Sequence, residues 1–199
     1  SIRHKETQVT YVFLIRFHML EGEEKLIAQA KHGDTACFSA LYDHYLPPIY
    51  RFIYMKVSHR EEAEDLSHEV FLSAWQSLDR YEAQGFPFGS WLYQIARNKV
   101  IDHYRTRKPN ISLESVNTDL IGAEFPLEMN IDNALSLATV RDAIQTLTHD
   151  QQDVLLMKFI EDLPHRDIAF ALGKSEGAVR LIQHRALQEL KKILKEKEV

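Results

Sequence analysis

Apolar residues recur at intervals of three and four along nearly the whole chain, which is the spacing of one face of an α-helix. No convincing run of strict apolar–polar alternation, the pattern of a half-buried strand, occurs beyond the first 20 residues. From Pro109 to about Asn130 the periodicity gives way to Asn, Ser and acidic residues, which predicts a linker. The pattern therefore predicts an all-α protein, with two small helical domains joined by an acidic flexible linker and a helix-turn-helix in the second.

The predicted boundaries divide the chain into an N-terminal extension, two domains and a linker. We assign residues 1–22 to the extension, 23–108 to the N-terminal domain, 109–130 to the linker and 131–199 to the C-terminal domain. The predicted helices are 23–32, 35–57, about 59–78 and 90–107, then 131–146, 150–161, 165–172 and 176–195.

Local signals set several of the predicted helix ends. Asp34 is placed to cap the second helix, whereas Pro47-Pro48 should kink or interrupt it. The stretches Ser58–Glu61 and Thr148–Gln151 both have the form of a capping box, in which a hydroxyl residue is followed three positions later by Glu or Gln.

Charge is segregated along the chain although its formal net value is −5. Residues 97–108 hold five bases and one acid, and residues 164–197 hold eight bases and four acids. Between them, residues 109–138 hold five acids and no base. Solvated helix faces would explain one basic stretch, but two of them in different helical units favour nucleic-acid binding.

Other classes of protein fit the sequence poorly. The single cysteine, Cys37, excludes an internal disulfide framework, and no apolar run approaches the length needed to cross a bilayer. No HExxH, P-loop or catalytic-triad motif is present, which argues against an enzyme and against a cofactor. Asp65, His68 and Glu69 could ligate a metal, but their spacing is better explained by chance, so we predict no metal site.

Residues 165–184 have the spacing that a helix-turn-helix requires. Ala169 is small where the two helices must cross, and Gly173 follows where the turn needs a positive φ. Val179 and Ile182 are spaced to pack the second helix back on the first, and Ser175 can cap it. The predicted DNA-facing residues include both base-reading and phosphate-binding side chains: Arg166, Lys174, Ser175, Glu176, Arg180, Gln183, His184 and Arg185.

The third predicted helix has one apolar stripe and one acidic face. The stripe consists of Ala63, Leu66, Val70, Ala74 and Leu78. The acidic face carries Glu61, Asp65, His68, Glu69 and, among the charges, Leu72. Aromatic residues then crowd a Gly/Pro-containing loop just before the first basic stretch, an arrangement with which proteins hold unstacked bases.

Three segments resemble the bacterial RNA polymerase sigma factors: EEAEDLSHEVFLSAW, FPFGSWLYQIARNKVIDHYR and the helix-turn-helix ending SEGAVRLIQHRAL. With two domains, a linker between them and no further regions, the chain is similar to the extracytoplasmic-function (ECF) group of the sigma-70 family. The resemblance covers about residues 23–195. It implies that the protein binds core RNA polymerase and directs transcription initiation from specific promoters.

The resemblance also implies roles for individual residues. The β′ clamp helices of the polymerase would bind Glu61, Asp65, Leu66, His68, Glu69 and Leu72. The β subunit of the polymerase is a further expected contact. The −10 promoter element would be melted and held by Tyr81, Phe86, Phe88, Ser90, Trp91, Arg97, Asn98, Lys99, Asp102, His103, Arg105 and Arg107. The second domain would read the −35 element, and the linker would thread toward the RNA-exit path. An anti-sigma factor is a further expected partner.

Three features depart from the family pattern. His68 stands where the family usually has Gln, and Leu181 to Gln183 differ from its commonest sequence, which leaves the −35 base contacts open. Residues 1–18 match nothing in the family and Met19 falls where a typical member would begin. We interpret the extension as the result of an upstream start site or of cloning.

The alternative function is a two-domain helix-turn-helix regulator that binds duplex DNA without core polymerase. A scaffold that binds only protein is disfavoured by the two basic stretches.

Overall fold

The computed structural model of the protein describes residues 20–106 and 142–197, and these residues are almost entirely helical. The N-terminal domain contains α1 (Glu23–Lys31), α2 (Thr35–Val57), α3 (Arg60–Ser77), a 3₁₀ turn (Leu78–Arg80) and α4 (Phe88–Thr106). The C-terminal domain contains α5 (His149–Leu155), which a π-helical turn extends (Leu156–Ile160), then α6 (His165–Leu172) and α7 (Glu176–Lys197). The predicted all-α fold is confirmed. The predicted linker, residues 1–19 and Arg107 lie outside the described residues.

The start of α2 follows the sequence signal, but its middle does not. The Asp34 carboxylate accepts hydrogen bonds from the backbone N–H groups of Ala36 and Cys37, at 3.0 and 3.1 Å, and so caps the helix as predicted. Of the two predicted effects of Pro47-Pro48, a kink or an interruption, the interruption is wrong, because α2 continues through both prolines. Each proline removes one helical hydrogen bond. Packing compensates, since Tyr45 before the prolines and Ile49 after them are fully buried.

The predicted capping box at Ser58–Glu61 is also wrong. Ser58 has a left-handed backbone, with φ of 60°, and ends α2 by donating its N–H to the carbonyl of Tyr54. An N-cap residue needs an extended backbone, and His59 takes that position instead, without a side-chain cap. The end of the preceding helix therefore determines the conformation of Ser58.

The α3 stripe forms part of the core. Its five predicted residues, Ala63, Leu66, Val70, Ala74 and Leu78, are all buried against α2 and α4. The helix α4 begins at Phe88, two residues earlier than predicted, and the Glu23 carboxylate of α1 accepts the Phe88 N–H at 3.0 Å. This cap comes from a part of the chain that is distant in sequence.

In the helix-turn-helix of the C-terminal domain, α6 has the predicted bounds and the turn is as predicted, whereas α7 begins at Glu176 as predicted and ends two residues later than predicted, at Lys197. The Thr148–Gln151 capping box opens α5, and Gly173 ends α6 with φ of 63°. The Ser175 hydroxyl accepts the Ala178 N–H at 3.2 Å, which confirms it as a cap of α7. Val179 is fully buried and Ala169 nearly so, as expected where α6 and α7 cross.

The two domains pack against each other. The helix α4 lies against α6, and one apolar cluster extends from the N-terminal domain through Leu156, Ile168 and Leu172. The ring of Phe86, in the loop before α4, stacks on Phe170 of α6 with centroids 4.3 Å apart. Within the described ranges, no helix is long and apolar enough to span a membrane.

Candidate nucleic-acid and polymerase interface

The acidic face of α3 is turned to solvent. Glu61, Asp65, His68 and Glu69 are exposed, and Leu72 is 57% exposed although it is a large apolar residue. Leu66, which the resemblance placed in this set, instead belongs to the core at 6% exposure, because it lies on the apolar stripe. The face thus combines negative charge with one exposed leucine, a combination that suits a partner with both basic and apolar side chains.

The loop before α4 and the first turn of α4 divide into buried and accessible aromatics. Tyr81, Phe88 and Ser90 are buried, whereas Phe86 and Trp91 are half-buried. Trp91 packs on Tyr81 and Phe88, with ring centroids 4.8 and 5.4 Å away. Burial raises the pKa of Tyr81 to about 12, with smaller contributions from Glu23 and Glu24. Tyr81, Phe88 and Ser90 therefore pack under the loop, Trp91 keeps part of its ring exposed on α4, and Phe86 is partly exposed but stacks on Phe170 of the other domain.

The basic residues of α4 are distributed over three sides of the helix. Asn98, Asp102 and Arg105 are exposed, and Arg105 pairs with Asp102 at 3.1 Å. Lys99 pairs with Glu69 of α3 at 3.1 Å, and the His103 Nε2 lies 3.1 Å from Glu62. Arg97 faces the other domain. Its guanidinium pairs with Asp150 at 2.8 Å and with Asp153 at 2.9 Å, both from α5.

The predicted −35 residues are divided between exposed positions on α7 and positions held by contacts to other elements. Arg180, His184 and Arg185 are exposed on α7, and Arg180 pairs with Glu176 one turn earlier, at 2.8 Å. Gln183 instead contacts the His165 ring at 2.5 Å. Lys174 pairs with Asp150 at 3.0 Å. Arg166 donates to the Gly85 carbonyl at 3.0 Å and its guanidinium lies 4.6 Å from the centre of the Phe86 ring.

A seam of ion pairs joins the two domains, and the sequence analysis missed it. Arg51 and Glu161 form a bidentate pair, with N–O distances of 2.7 and 2.6 Å. Lys56 and Asp153, whose side chains are both fully buried, form a second pair, and Arg97 completes the seam. Lys56 lies on the same face of α2 as the buried Phe52. The sequence signal for this seam was Lys56, a charged residue at a core-facing helical position, because buried charges need a partner of opposite charge.

The local environment keeps the exposed end of the seam charged. Partial burial acts to raise the pKa of Asp150, but hydrogen bonds and charge from Lys174 and Arg97 outweigh it, and the net shift is downward. Burial raises the pKa of Glu161, an effect that the Arg51 guanidinium opposes. A single carboxylate, that of Asp150, pairs with one residue from the predicted −10 set and one from the predicted −35 set. Among residues 20–106 and 142–197, no group of three His, Cys, Asp or Glu side chains could hold a metal ion.

Comparison with known proteins identifies the two domains. Residues 41–109 match the family model of sigma-70 region 2, and residues 143–192 match that of sigma-70 region 4. The chain is 35% identical over 173 residues to the ECF RNA polymerase sigma factor BldN of Streptomyces coelicolor, covering 85% of this chain and 65% of BldN. It is 30% identical over 182 residues to the ECF sigma factor SigW of Bacillus subtilis, covering 87% of this chain and 97% of SigW.

A solved structure of CnrH in complex with the cytosolic domain of CnrY has the same fold, with a TM-score of 0.69, 23% identity and coverage of 88% of this chain and 98% of that one. The fold and the order of the two matched regions define a sigma-70 family protein that contains regions 2 and 4. The chain belongs to the ECF group of RNA polymerase sigma factors, as the resemblance predicted. Membership of this group favours the sigma-factor function over the alternative of an independent helix-turn-helix regulator.

Proposed function

We propose that the protein binds core RNA polymerase and directs promoter-specific transcription initiation, with region 2 acting at the −10 element and region 4 at the −35 element. The observation that carries this proposal is the match to both regions in order, on a fold that exposes an acidic α3 face and a helix-turn-helix. The partners are core polymerase, through the β′ clamp helices and the β subunit, and promoter DNA. The protein supplies specificity and has no catalytic role or cofactor of its own.

Polymerase binding is assigned to the α3 face formed by Glu61, Asp65, His68, Glu69 and Leu72. Its carboxylates are exposed and the neighbouring core stripe fixes the orientation of the helix. Among residues 20–106 and 142–197, Lys99 of α4 is the one cation that pairs with a carboxylate of this face, at Glu69, so the other charges of the face can meet a basic partner. The exposed Leu72 side chain adds an apolar surface that an apolar side chain of such a partner can cover.

Melting of the −10 element is assigned to the loop before α4 and to the accessible residues of α4. Phe86 and Trp91 offer aromatic surfaces on which an unstacked base can lie, and Asn98, Lys99 and Arg105 offer polar and cationic groups further along α4. In the docked structure Phe86 is covered by Phe170 and Arg97 is held by two carboxylates. The domains must therefore separate before these two side chains can contact DNA.

Reading of the −35 element is assigned to α7. Arg180 is exposed on the first turns of this helix, where it can pair bidentately with guanine in a major groove. Gln183 and Lys174 reach DNA only after they leave His165 and Asp150. Arg166 and Arg185 are assigned to phosphates, which position the helix without reading the sequence.

Replacing Arg180 with alanine tests this assignment. We expect a loss of about 1–3 kcal/mol in binding to the cognate −35 element, because one bidentate base contact is removed. Affinities for the cognate duplex and for duplexes mutated at each position should be compared at fixed salt. Arg185→Ala, on the same helix, is the matched control and should weaken all sequences alike. A uniform loss for Arg180→Ala would make that residue a phosphate contact.

Two properties follow from the proposed function. The protein acts where core polymerase and the chromosome are, and we therefore place it in the cytoplasm. An anti-sigma factor is proposed as a regulatory partner by analogy with the family. The CnrH structure, which has a similar fold, was solved with the cytosolic domain of CnrY as its partner, which supports a protein partner for this fold.

Reconstitution with core polymerase tests the function directly. Holoenzyme and core enzyme should be compared on a random-sequence promoter library, with transcripts sequenced to find start sites. We expect start sites with shared −10 and −35 elements only when the protein is present. The alternative, a helix-turn-helix regulator that acts without core polymerase, would be favoured by two results together. Initiation would be no better than with core enzyme alone, and the free protein would bind duplex DNA tightly and with sequence specificity.

A further inference from the structure

The first helix holds the loop that precedes α4 at both of its ends. This helix, α1, lies N-terminal to the segment that matches region 2, which begins at residue 41. Glu23 in its first turn is buried, at 4% exposure, although it is a carboxylate. Its Oε1 accepts the N–H of Phe88 at 3.0 Å, and its Oε2 accepts the hydroxyl of Tyr45. The carboxylate thus fastens the end of the loop and the start of α4.

Lys31 fastens the other end of the same loop. Its ammonium donates a hydrogen bond to the backbone carbonyl of Tyr81, the residue that follows the 3₁₀ turn. The ammonium also lies 5.8 Å from the centre of the Tyr81 ring, within the range of a cation–π contact. Glu23 and Lys31 are about two helical turns apart on α1. One rigid helix therefore spans the loop from Tyr81 to Phe88.

The loop needs such support because its own backbone is unfavourable. Gln84 and Gly85 both have positive φ values, of 39° and 75°, and for the non-glycine residue Gln84 this conformation is strained. Glu82 to Gly85 are exposed and therefore add little packing. A conformation of this kind persists only when the surroundings determine it. The contacts of α1 to Tyr81 and Phe88 supply part of that determination within the N-terminal domain, and in the docked form Arg166 and Phe170 add contacts to Gly85 and Phe86.

We propose that Glu23 and Lys31 are positioning residues for promoter melting, and that they hold the loop of residues 82–87 in the conformation that presents Phe86 to an unstacked base. This inference rests on the proposed function. In this proposal neither residue contacts the DNA. Both act through backbone groups, the Phe88 N–H and the Tyr81 carbonyl. A loop whose ends are fixed in advance loses less conformational entropy when it binds a base, and therefore binds it more tightly.

The test compares three variants and a control in reconstituted holoenzyme. Lys31→Met removes the ammonium and Glu23→Ala removes the carboxylate, whereas Glu23→Gln keeps an oxygen that can accept the Phe88 N–H. Lys25→Met, at an exposed position of the same helix, is the control. The promoter is one selected from a random library by the wild-type holoenzyme, with 2-aminopurine placed in its −10 element so that fluorescence reports unstacking.

We expect Lys31→Met and Glu23→Ala to reduce −10 melting about tenfold, as the loss of a hydrogen bond from a charged group implies. The affinities of these two variants for core polymerase and for −35 duplex should not change. Glu23→Gln should recover most of the melting, and Lys25→Met should melt the promoter as the wild type does. In the free protein, amide hydrogen exchange over residues 82–88 should be faster in Lys31→Met. If Glu23→Ala does not fold, Lys31→Met decides alone, since Lys31 is only half-buried.

The proposal would be overturned if the Lys31→Met variant melted the −10 element as well as the wild type does. It would also be overturned if this variant lost melting, core binding and −35 binding equally, because that result would mean a structural role alone. A wild-type holoenzyme that selects no promoter would overturn the proposed function instead. The exchange measurement is independent of that function. Unchanged exchange in Lys31→Met would show that α1 does not hold the loop.

Discussion

Replacing Asp153 with alanine is expected to separate the two domains while both keep their helices. The Asp153 carboxylate is fully buried and accepts hydrogen bonds from Lys56 and Arg97. Without it, the ammonium of Lys56 would remain in the seam with no opposite charge, at a cost of about 3–5 kcal/mol. Separation of the domains returns this ammonium to water. The docked form should therefore lose most of its population.

Small-angle X-ray scattering checks this expectation, because separation increases the radius of gyration, and circular dichroism shows whether the helices persist. Asp162→Ala is the matched control, since this carboxylate belongs to the same domain but is exposed and lies 4.0 Å from its partner Lys158. An exposed pair of this kind contributes about 0–1 kcal/mol. A radius of gyration for Asp153→Ala equal to that of the wild type would show that the apolar contacts alone keep the domains together.

Replacing Asp65 with lysine is expected to weaken binding to core polymerase by about 2–5 kcal/mol, because it reverses a charge at the centre of the proposed contact. The fold should not change, since substitutions at exposed positions alter the free energy of unfolding by about 0.5 kcal/mol or less. Asp65 is exposed, and none of the ion pairs found among the described residues includes it.

Affinity for core polymerase, measured by competition with a labelled wild-type protein, provides the readout, and thermal unfolding provides the check on the fold. Glu24→Lys is the control, as it makes the same charge reversal at an exposed position of α1. Equal affinities for Asp65→Lys and the wild type would reduce the α3 face to a solvated surface and move the polymerase contact elsewhere.

Features that depend on short stretches of sequence were predictable. The bounds of α6, the left-handed turn at Gly173 and the caps at Asp34 and Ser175 each depend on residues within a few positions of one another. The failures have the opposite property. Ser58 takes its conformation from the end of α2, and Pro47-Pro48 are tolerated because Tyr45 and Ile49 are packed by other helices.

The candidate site divides in the same way. The exposed acidic face of α3 and the exposed Arg180 follow from helical periodicity, and the structure places them as predicted. Two features could not be predicted because they join segments 40 or more residues apart in the chain: the pairing of Arg97 with α5 and the cap that Glu23 provides to α4. The burial of Leu66 was missed for another reason, since it depends on which face of α3 the residue lies on. The roles of the individual site residues stay predictions until variants are measured.

The charges of the domain seam have a consequence for affinity. On one side lie the cationic groups of Arg51, Lys56 and Arg97, and on the other the carboxylates of Asp150, Asp153 and Glu161. Separation exposes a positive surface that attracts a polyanion and a negative one that repels it. A ligand that binds only the separated form shifts the equilibrium toward it. For a DNA site that includes Phe86 or Arg97, the apparent affinity of the whole chain is therefore the affinity of the separated form multiplied by the fraction of molecules in that form.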